Sequence, residues 1–225
     1  MDTPFPYHSF VTGKNFMGRK SECTILSNLL SQGEHVSLYE PPKAGKTSLI
    51  QQALYSMRFG QKAYTIGQFS VLNIRTVEDF LTRYGATVIR MVASTPAEYA
   101  HLVSDYLAET HFVFDPDAFA EREELLSKTW ELDEADVKAV LRLPFRIAAD
   151  RGLPLILIID EFQNVQETED GDRILRPLDT VIREESEQGH RGFSFIFCGS
   201  RVNAMKHIFE TSRLFHRHVD RKSVV

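Results

Sequence analysis

The residues Leu153-Pro154-Leu155-Ile156-Leu157-Ile158-Ile159 are apolar without interruption, follow Gly152, and run straight into Asp160-Glu161. Successive side chains of a strand point to opposite faces, so a strand wet on one side alternates apolar and polar residues. An unbroken apolar run needs cover on both faces. In a chain of 225 residues, that need selects a central strand of a parallel sheet covered by helices on each side. Phe193-Ser194-Phe195-Ile196-Phe197-Cys198, which stops at Gly199-Ser200, repeats the pattern. His35-Val36-Ser37-Leu38-Tyr39 gives a first strand and 62–72 a second, within either Ala63–Ile66 or Phe69–Leu72. His218–Val225 gives a last edge strand. Helical periodicity fills the intervals at 22–30, 48–59, 76–91, 174–187 and 202–211. Strands alternating with helices make the class α/β, a parallel sheet flanked by helices.

Two stretches depart from simple alternation. Residues 1–15 read as an irregular lead-in punctuated by Pro4, Pro6 and Gly13. Between the second and third strands lie helical patterns at 96–109, 116–128 and 133–150, more than one crossover helix requires. The stretch 96–150 is therefore expected as a helical insert within a single domain, 1–225.

The first strand leads into Glu40-Pro41-Pro42-Lys43-Ala44-Gly45-Lys46-Thr47-Ser48, and a helix opens at Thr47. Gly-Lys-Thr after a strand and before a helix is the end of the phosphate-loop pattern. A helix N-terminus presents unpaired N–H groups and the positive end of the helix dipole, which suits a polyphosphate. Pro42, Lys43, Ala44, Gly45, Lys46, Thr47 and Ser48 are the expected nucleotide-binding residues. Gly45 admits close backbone approach, Lys46 reaches the β- and γ-phosphates, and Thr47 offers a hydroxyl to Mg²⁺. One letter departs from the pattern: Glu40 stands where a first Gly belongs. Pro41-Pro42 still fixes a tight turn, and Lys43 is expected to offset the carboxylate.

Asp160 and Glu161 end the third strand, on the side of the sheet where the loop after Tyr39 also lies. In phosphoryl-transfer sites the first carboxylate holds Mg²⁺, and the second is then placed to orient or deprotonate water. The expected metal ligands are thus Thr47 and Asp160, and the expected catalytic pair Glu161 and Lys46. The formal charge of −5 argues against an extended nucleic-acid-binding face. Cys23 and Cys198 read as buried reduced thiols. Without a secretory pattern or a membrane-length apolar run, the cytoplasm is the expected location, with no membrane partner.

Four segments carry a family resemblance. They are Phe16-Met17-Gly18-Arg19 with Glu22 and Leu26, the loop through Ser48-Leu49, Ile158-Ile159-Asp160-Glu161-Phe162-Gln163, and Phe197-Cys198-Gly199-Ser200 with Met205, Lys206 and Phe209. Together they resemble the AAA+ branch of P-loop ATPases, more narrowly the archaeal-type or STAND-like prokaryotic ATPases with an Orc/Cdc6-related core. The resemblance implies that Phe16, Met17 and Gly18 line an adenine pocket with Arg19 nearby, that ATP or ADP with Mg²⁺ is bound, and that Ser200 acts as sensor 1. It also implies an arginine finger, for which Arg217 is the candidate, and hence a homo-oligomer. The helical lid that such ATPases carry after the last strand has no counterpart before Val225: either it belongs to a longer parent of which this chain is a fragment, together with any winged-helix domain through which DNA would be bound, or the protein works without one.

The leading expectation is an ATPase that couples nucleotide state to a protein or DNA partner. The alternative is a nucleotide-binding regulatory switch or scaffold with little turnover, which Glu40 favours. A small-molecule kinase fits less well, because Asp-Glu on the third strand is a water-activating pattern and no Arg-rich lid follows the fourth.

Overall fold

A computed structural model describes residues 18–60, 63–122, 127–128, 132–212 and 214–222. In chain order these form α1 (Lys20–Ser31), β1 (His35–Tyr39), α2 (Lys46–Phe59), β2 (Thr65–Ser70), α3 (Val77–Arg90), α4 (Pro96–Leu107), β3 (Phe112–Val113), α5 (Pro116–Arg122) and β4 (Ser127–Lys128). There follow α6 (Glu134–Arg151), β5 (Leu155–Asp160), a 3₁₀ turn Phe162–Glu167, α7 (Asp172–Glu187), β6 (Phe193–Gly199), α8 (Val202–Lys206), a π-turn His207–Thr211 and β7 (Val219–Lys222).

The main sheet has five strands in the order β2-β5-β6-β1-β7, and every pair is parallel. Its two faces divide the side chains of the central strands as a period of two requires. Leu155, Leu157, Ile159, Phe193, Phe195 and Phe197 share one core with α3, α6 and α7. Ile156, Ile158, Ile196 and Cys198 share the other with α1 and α2. The unbroken apolar runs are thus explained by a helix layer on each side.

Helix starts follow local chemistry. The Thr76 hydroxyl accepts the Asp79 N–H at 3.1 Å, and Thr95 with Glu98 and Asp133 with Asp136 form reciprocal capping boxes. The second strand straddles both segments offered for it. The helix expected over 116–128 ends at Arg122. Ser127–Lys128 instead pairs antiparallel with Phe112–Val113, where the ladder satisfies backbone groups that local helix propensity would have kept. Among the described residues of 96–150, Tyr99, Leu102 and Leu107 of α4 and Leu141, Phe145 and Ile147 of α6 join the core beneath the sheet. The Tyr84 hydroxyl ties α3 to α6 by donating to the Leu141 carbonyl at 2.9 Å. The lead-in 1–15 lies outside the described residues.

Two close fits govern the N-terminal edge of the sheet. Gly33 has φ +74°, and a Cβ there would stand 2.1 Å from the Arg191 carbonyl oxygen. His35 is buried among Phe145, Phe193 and Phe195, and its Nδ1 accepts the Phe195 N–H at 3.0 Å. Burial, reinforced by Arg191 and His218, pushes its pKa down from 6.5 to about 3.

Each fit generates a prediction. Gly33→Ala should cost about 2 to 4 kcal/mol by chemical denaturation, from the clash and the left-handed backbone together. Because folding lowers the His35 pKa, the unfolded chain binds this proton first, and stability is lost as pH falls below about 6.5 toward 3. At about pH 5 the His35 contribution to the loss should be about 2 kcal/mol. His35→Gln, which retains an acceptor for Phe195, should show a flatter dependence of urea midpoint on pH.

Candidate functional site

The register of the sheet brings four strand ends together. Tyr39, the last residue of β1, is paired with Gly199, the last of β6, and Ser70 of β2 with Asp160 of β5. The loop 40–45, Asp160-Glu161 and Ser200 therefore leave the sheet at its C-terminal edge, where ligands of open parallel sheets bind. The loop begins still attached to the ladder, with the Glu40 N–H on the Gly199 carbonyl at 3.3 Å. It closes with the Ala44 N–H on the Pro41 carbonyl, also at 3.3 Å. Lys43 and Gly45 carry φ of +66° and +89°, and Gly45 caps α2 without a side-chain bond. The first turn of this 14-residue helix has no acidic side chain to offset its dipole.

Lys46, Thr47 and Asp160 line one small depression with Gln51, Gln68 and Cys198. The Lys46 ammonium folds over the loop and donates to the carbonyls of Glu40 at 2.7 Å and Pro41 at 3.2 Å. Asp160 accepts the Glu161 N–H at 2.9 Å, and Glu161 takes a left-handed backbone, φ +51°. Glu161 Oε2 in turn accepts the Ser200 hydroxyl at 2.7 Å and the Gln163 amide. Burial alone would raise the Glu161 pKa, but these bonds and the nearby Lys46 charge outweigh it and hold the carboxylate below its usual range. The Cys198 thiol is buried under the depression, and desolvation raises its pKa far above the ordinary thiol range.

Gln163 was missed as a site residue by sequence reasoning. It is 2% exposed, its amide nitrogen is spent on Glu161, and its Oε1 is buried without a protein partner. Its place two residues beyond Glu161 was visible in the sequence. The 3₁₀ turn that folds it back was not.

The other candidates divide. Ser200 could equally have capped α8, but the residue at that cap is Arg201, and the Ser200 hydroxyl reaches Glu161. Ser48 sits in the first turn of α2, half-buried, while Pro42, Lys43 and Ala44 are exposed on the loop. The Glu40 carboxylate is met by Arg19: Nη1 and Nη2 donate to its two oxygens at 3.1 and 2.7 Å. Lys43, expected in that role, is exposed on the turn with a positive φ, and the pairing is made by Arg19. Arg19 Nη1 also donates to the Ala44 carbonyl at 2.8 Å, and Nε to Glu22. Gly18 is exposed with φ +79°, and Phe16 and Met17 lie outside the described residues. Arg217 is not brought to the loop. It is exposed two residues before Val219, whose partner His35 opens β1, at the opposite end of the sheet. No helix among the described residues is long and apolar enough to cross a membrane.

No protein-family model and no curated protein matches the sequence. Solved structures do match in fold. A Walker-type ATPase of Pyrococcus abyssi superposes with TM-score 0.56 at 14% identity, over 93% of this chain and 53% of that one. Orc2 of Aeropyrum pernix, solved as ADPNP–ADP complexes, gives 0.59 at 14% identity over 97% and 50%. Cdc6p of Pyrobaculum aerophilum gives 0.50 at 15% identity over 98% and 48%. The chain spans about half the length of these structures. A loop that ends β1 and opens α2, carboxylates at the end of β5 and a hydroxyl at the end of β6, on a five-stranded parallel sheet, are thus set in a fold similar to that of the Walker-type ATPase and of the archaeal Orc2 and Cdc6p structures.

Proposed function

We propose that the chain binds ATP at the C-terminal edge of β1, β5 and β6 and hydrolyses it with Mg²⁺. The observation that carries this reading is the single depression shared by Lys46, Thr47 and Asp160, with Glu161 beside it. The donor set fits both groups. Gly45 and the uncapped start of α2 offer amides to phosphate, and a hydroxyl with a carboxylate offers hard oxygen ligands to Mg²⁺. When bound, the ion would neutralise charge developing on the transferred phosphoryl group.

In this reading Thr47 and Asp160 hold the metal. Lys46 exchanges the carbonyls of Glu40 and Pro41 for phosphate oxygens at modest cost, because both are polar acceptors. Glu161, ionised at neutral pH, orients water and accepts its proton, while Ser200 senses the γ-phosphate. Positioning and electrostatics carry most of the acceleration. Arg217 belongs to the site only as a residue supplied to a neighbouring copy, since its own loop lies at the other end of the sheet. Motion coupled to nucleotide state would act on a protein or DNA partner. Orc1 of Aeropyrum pernix, matched at 10% identity with TM-score 0.52, was solved in complex with DNA. The helical stretch 96–150 is a candidate surface for such a partner.

One observation favours a second reading, a switch with little turnover. Glu161 Oε2 already accepts from Ser200 and Gln163, which stabilises the ionised carboxylate and makes it a weaker base toward water.

Phosphate release measured beside equilibrium nucleotide binding separates the two. For an ATPase, wild type binds ATP and releases phosphate. Lys46→Ala should lose at least about tenfold in ATP affinity, and Glu161→Gln should bind normally but turn over about 10²-fold more slowly or less. A wild-type chain that binds Mg-ATP and releases none is a switch. Equal binding by Lys46→Ala and wild type would sink the site assignment.

A further inference from the structure

Glu40 is the position where the loop leaves the phosphate-loop pattern, and its chemistry there is adverse. The pattern's glycine contributes backbone freedom. A carboxylate contributes negative charge where phosphates are to lie. Glu40 is 5% exposed, so water cannot screen it. Arg19 meets it with a two-pronged pair, and a planar guanidinium is the cation best shaped for a buried carboxylate.

The same guanidinium does more than neutralise. Of its five N–H donors, two go to Glu40, one to the Ala44 carbonyl and one to Glu22 on α1. Glu40 and Ala44 are the two ends of the turn that precedes Gly45. One cation therefore closes the turn and fastens it to α1. The guanidinium rides over the loop: a Cβ added at Gly45 would find Arg19 Nη1 as its neighbour, 3.6 Å away. Arg19 itself is held at φ +50°, a conformation that non-glycine residues seldom adopt.

We infer that Arg19 and Glu40 form a charge-paired clasp that sets the shape of the phosphate loop in place of its missing glycine, and that polyphosphate affinity depends on the pair rather than on either residue alone. Arg19 is in this sense a positioning residue acting through Glu40. The inference rests on the reading of the loop as a nucleotide site. Removing Arg19 leaves a buried carboxylate beside the phosphates, whose repulsion grows with phosphate charge. Removing both residues removes the repulsion.

The test is equilibrium dialysis of Mg-ATP and Mg-ADP against wild type, Arg19→Ala, Arg19→Lys and Arg19→Ala/Glu40→Gly, with the melting temperature of each recorded without nucleotide. Arg19→Ala should bind ATP at least about tenfold more weakly and ADP about threefold more weakly. The double variant should return to within about threefold of wild type for both. Arg19→Lys keeps the charge but cannot span Glu40 and Ala44, and should fall between wild type and Arg19→Ala. It carries the test if Arg19→Ala does not fold. Unchanged ATP affinity in the Arg19 variants, equal losses for ATP and ADP, or a double variant as weak as Arg19→Ala would each overturn the clasp. A wild-type chain that binds neither nucleotide would instead overturn the nucleotide reading itself.

Discussion

The fold depends on the burial of β5 and β6 from both sides. Six alternating side chains, Leu155, Leu157, Ile159, Phe193, Phe195 and Phe197, supply one core, and Ile156, Ile158, Ile196 and Cys198 supply the other. Each large apolar side chain so buried is worth about 1.5 to 3 kcal/mol relative to exposure, and a one-residue slip in register would exchange the two sets. The register is therefore strongly specified. It places Tyr39 opposite Gly199 and Ser70 opposite Asp160, and so the candidate site residues converge because the hydrophobic residues must.

The same physics explains what could be read in advance. Two-sided burial writes itself into contiguous letters, so the central strands and the parallel sheet were legible, as were the loop after Tyr39 and the carboxylates after Ile159. Helix starts with a local cap, at Thr76 and Asp133, were legible because the cap lies beside the helix in sequence. The site's side-chain partnerships were not. Arg19 and Glu40 are 21 residues apart, and Glu161 and Ser200 are 39 apart, so neither pairing leaves a periodic or local mark. Lys43 looked like the counter-charge because it was near in sequence, whereas the cation that solves the problem arrives from the start of α1. The short β3–β4 ladder went unread because two-residue strands lack a period, and its partner segment had a helical composition.

The charges around the loop form a balanced arrangement. Lys46 rests on backbone carbonyls, Arg19 on Glu40 and Glu22, and Glu161 on Ser200 and Gln163. Each of these three ionised groups has a partner among the described residues, which suits a low-dielectric edge where an unmatched charge is costly. Among the described residues, the buried side-chain atom without a protein partner is neutral, the Gln163 Oε1 acceptor. Gly199 lets this oxygen sit where it does, since a Cβ there would stand 2.5 Å from it.

Both cysteines lie in the core between the sheet and the α1–α2 layer, Cys23 on α1 and Cys198 on β6 beneath the loop. With the Cys198 thiol desolvated and protonated, alkylating reagents find neither access nor thiolate there while the sheet is intact. The chain thus carries a built-in chemical clock under the loop after Tyr39: the rate at which Cys198 becomes modifiable measures how often its cover at this edge of the sheet opens.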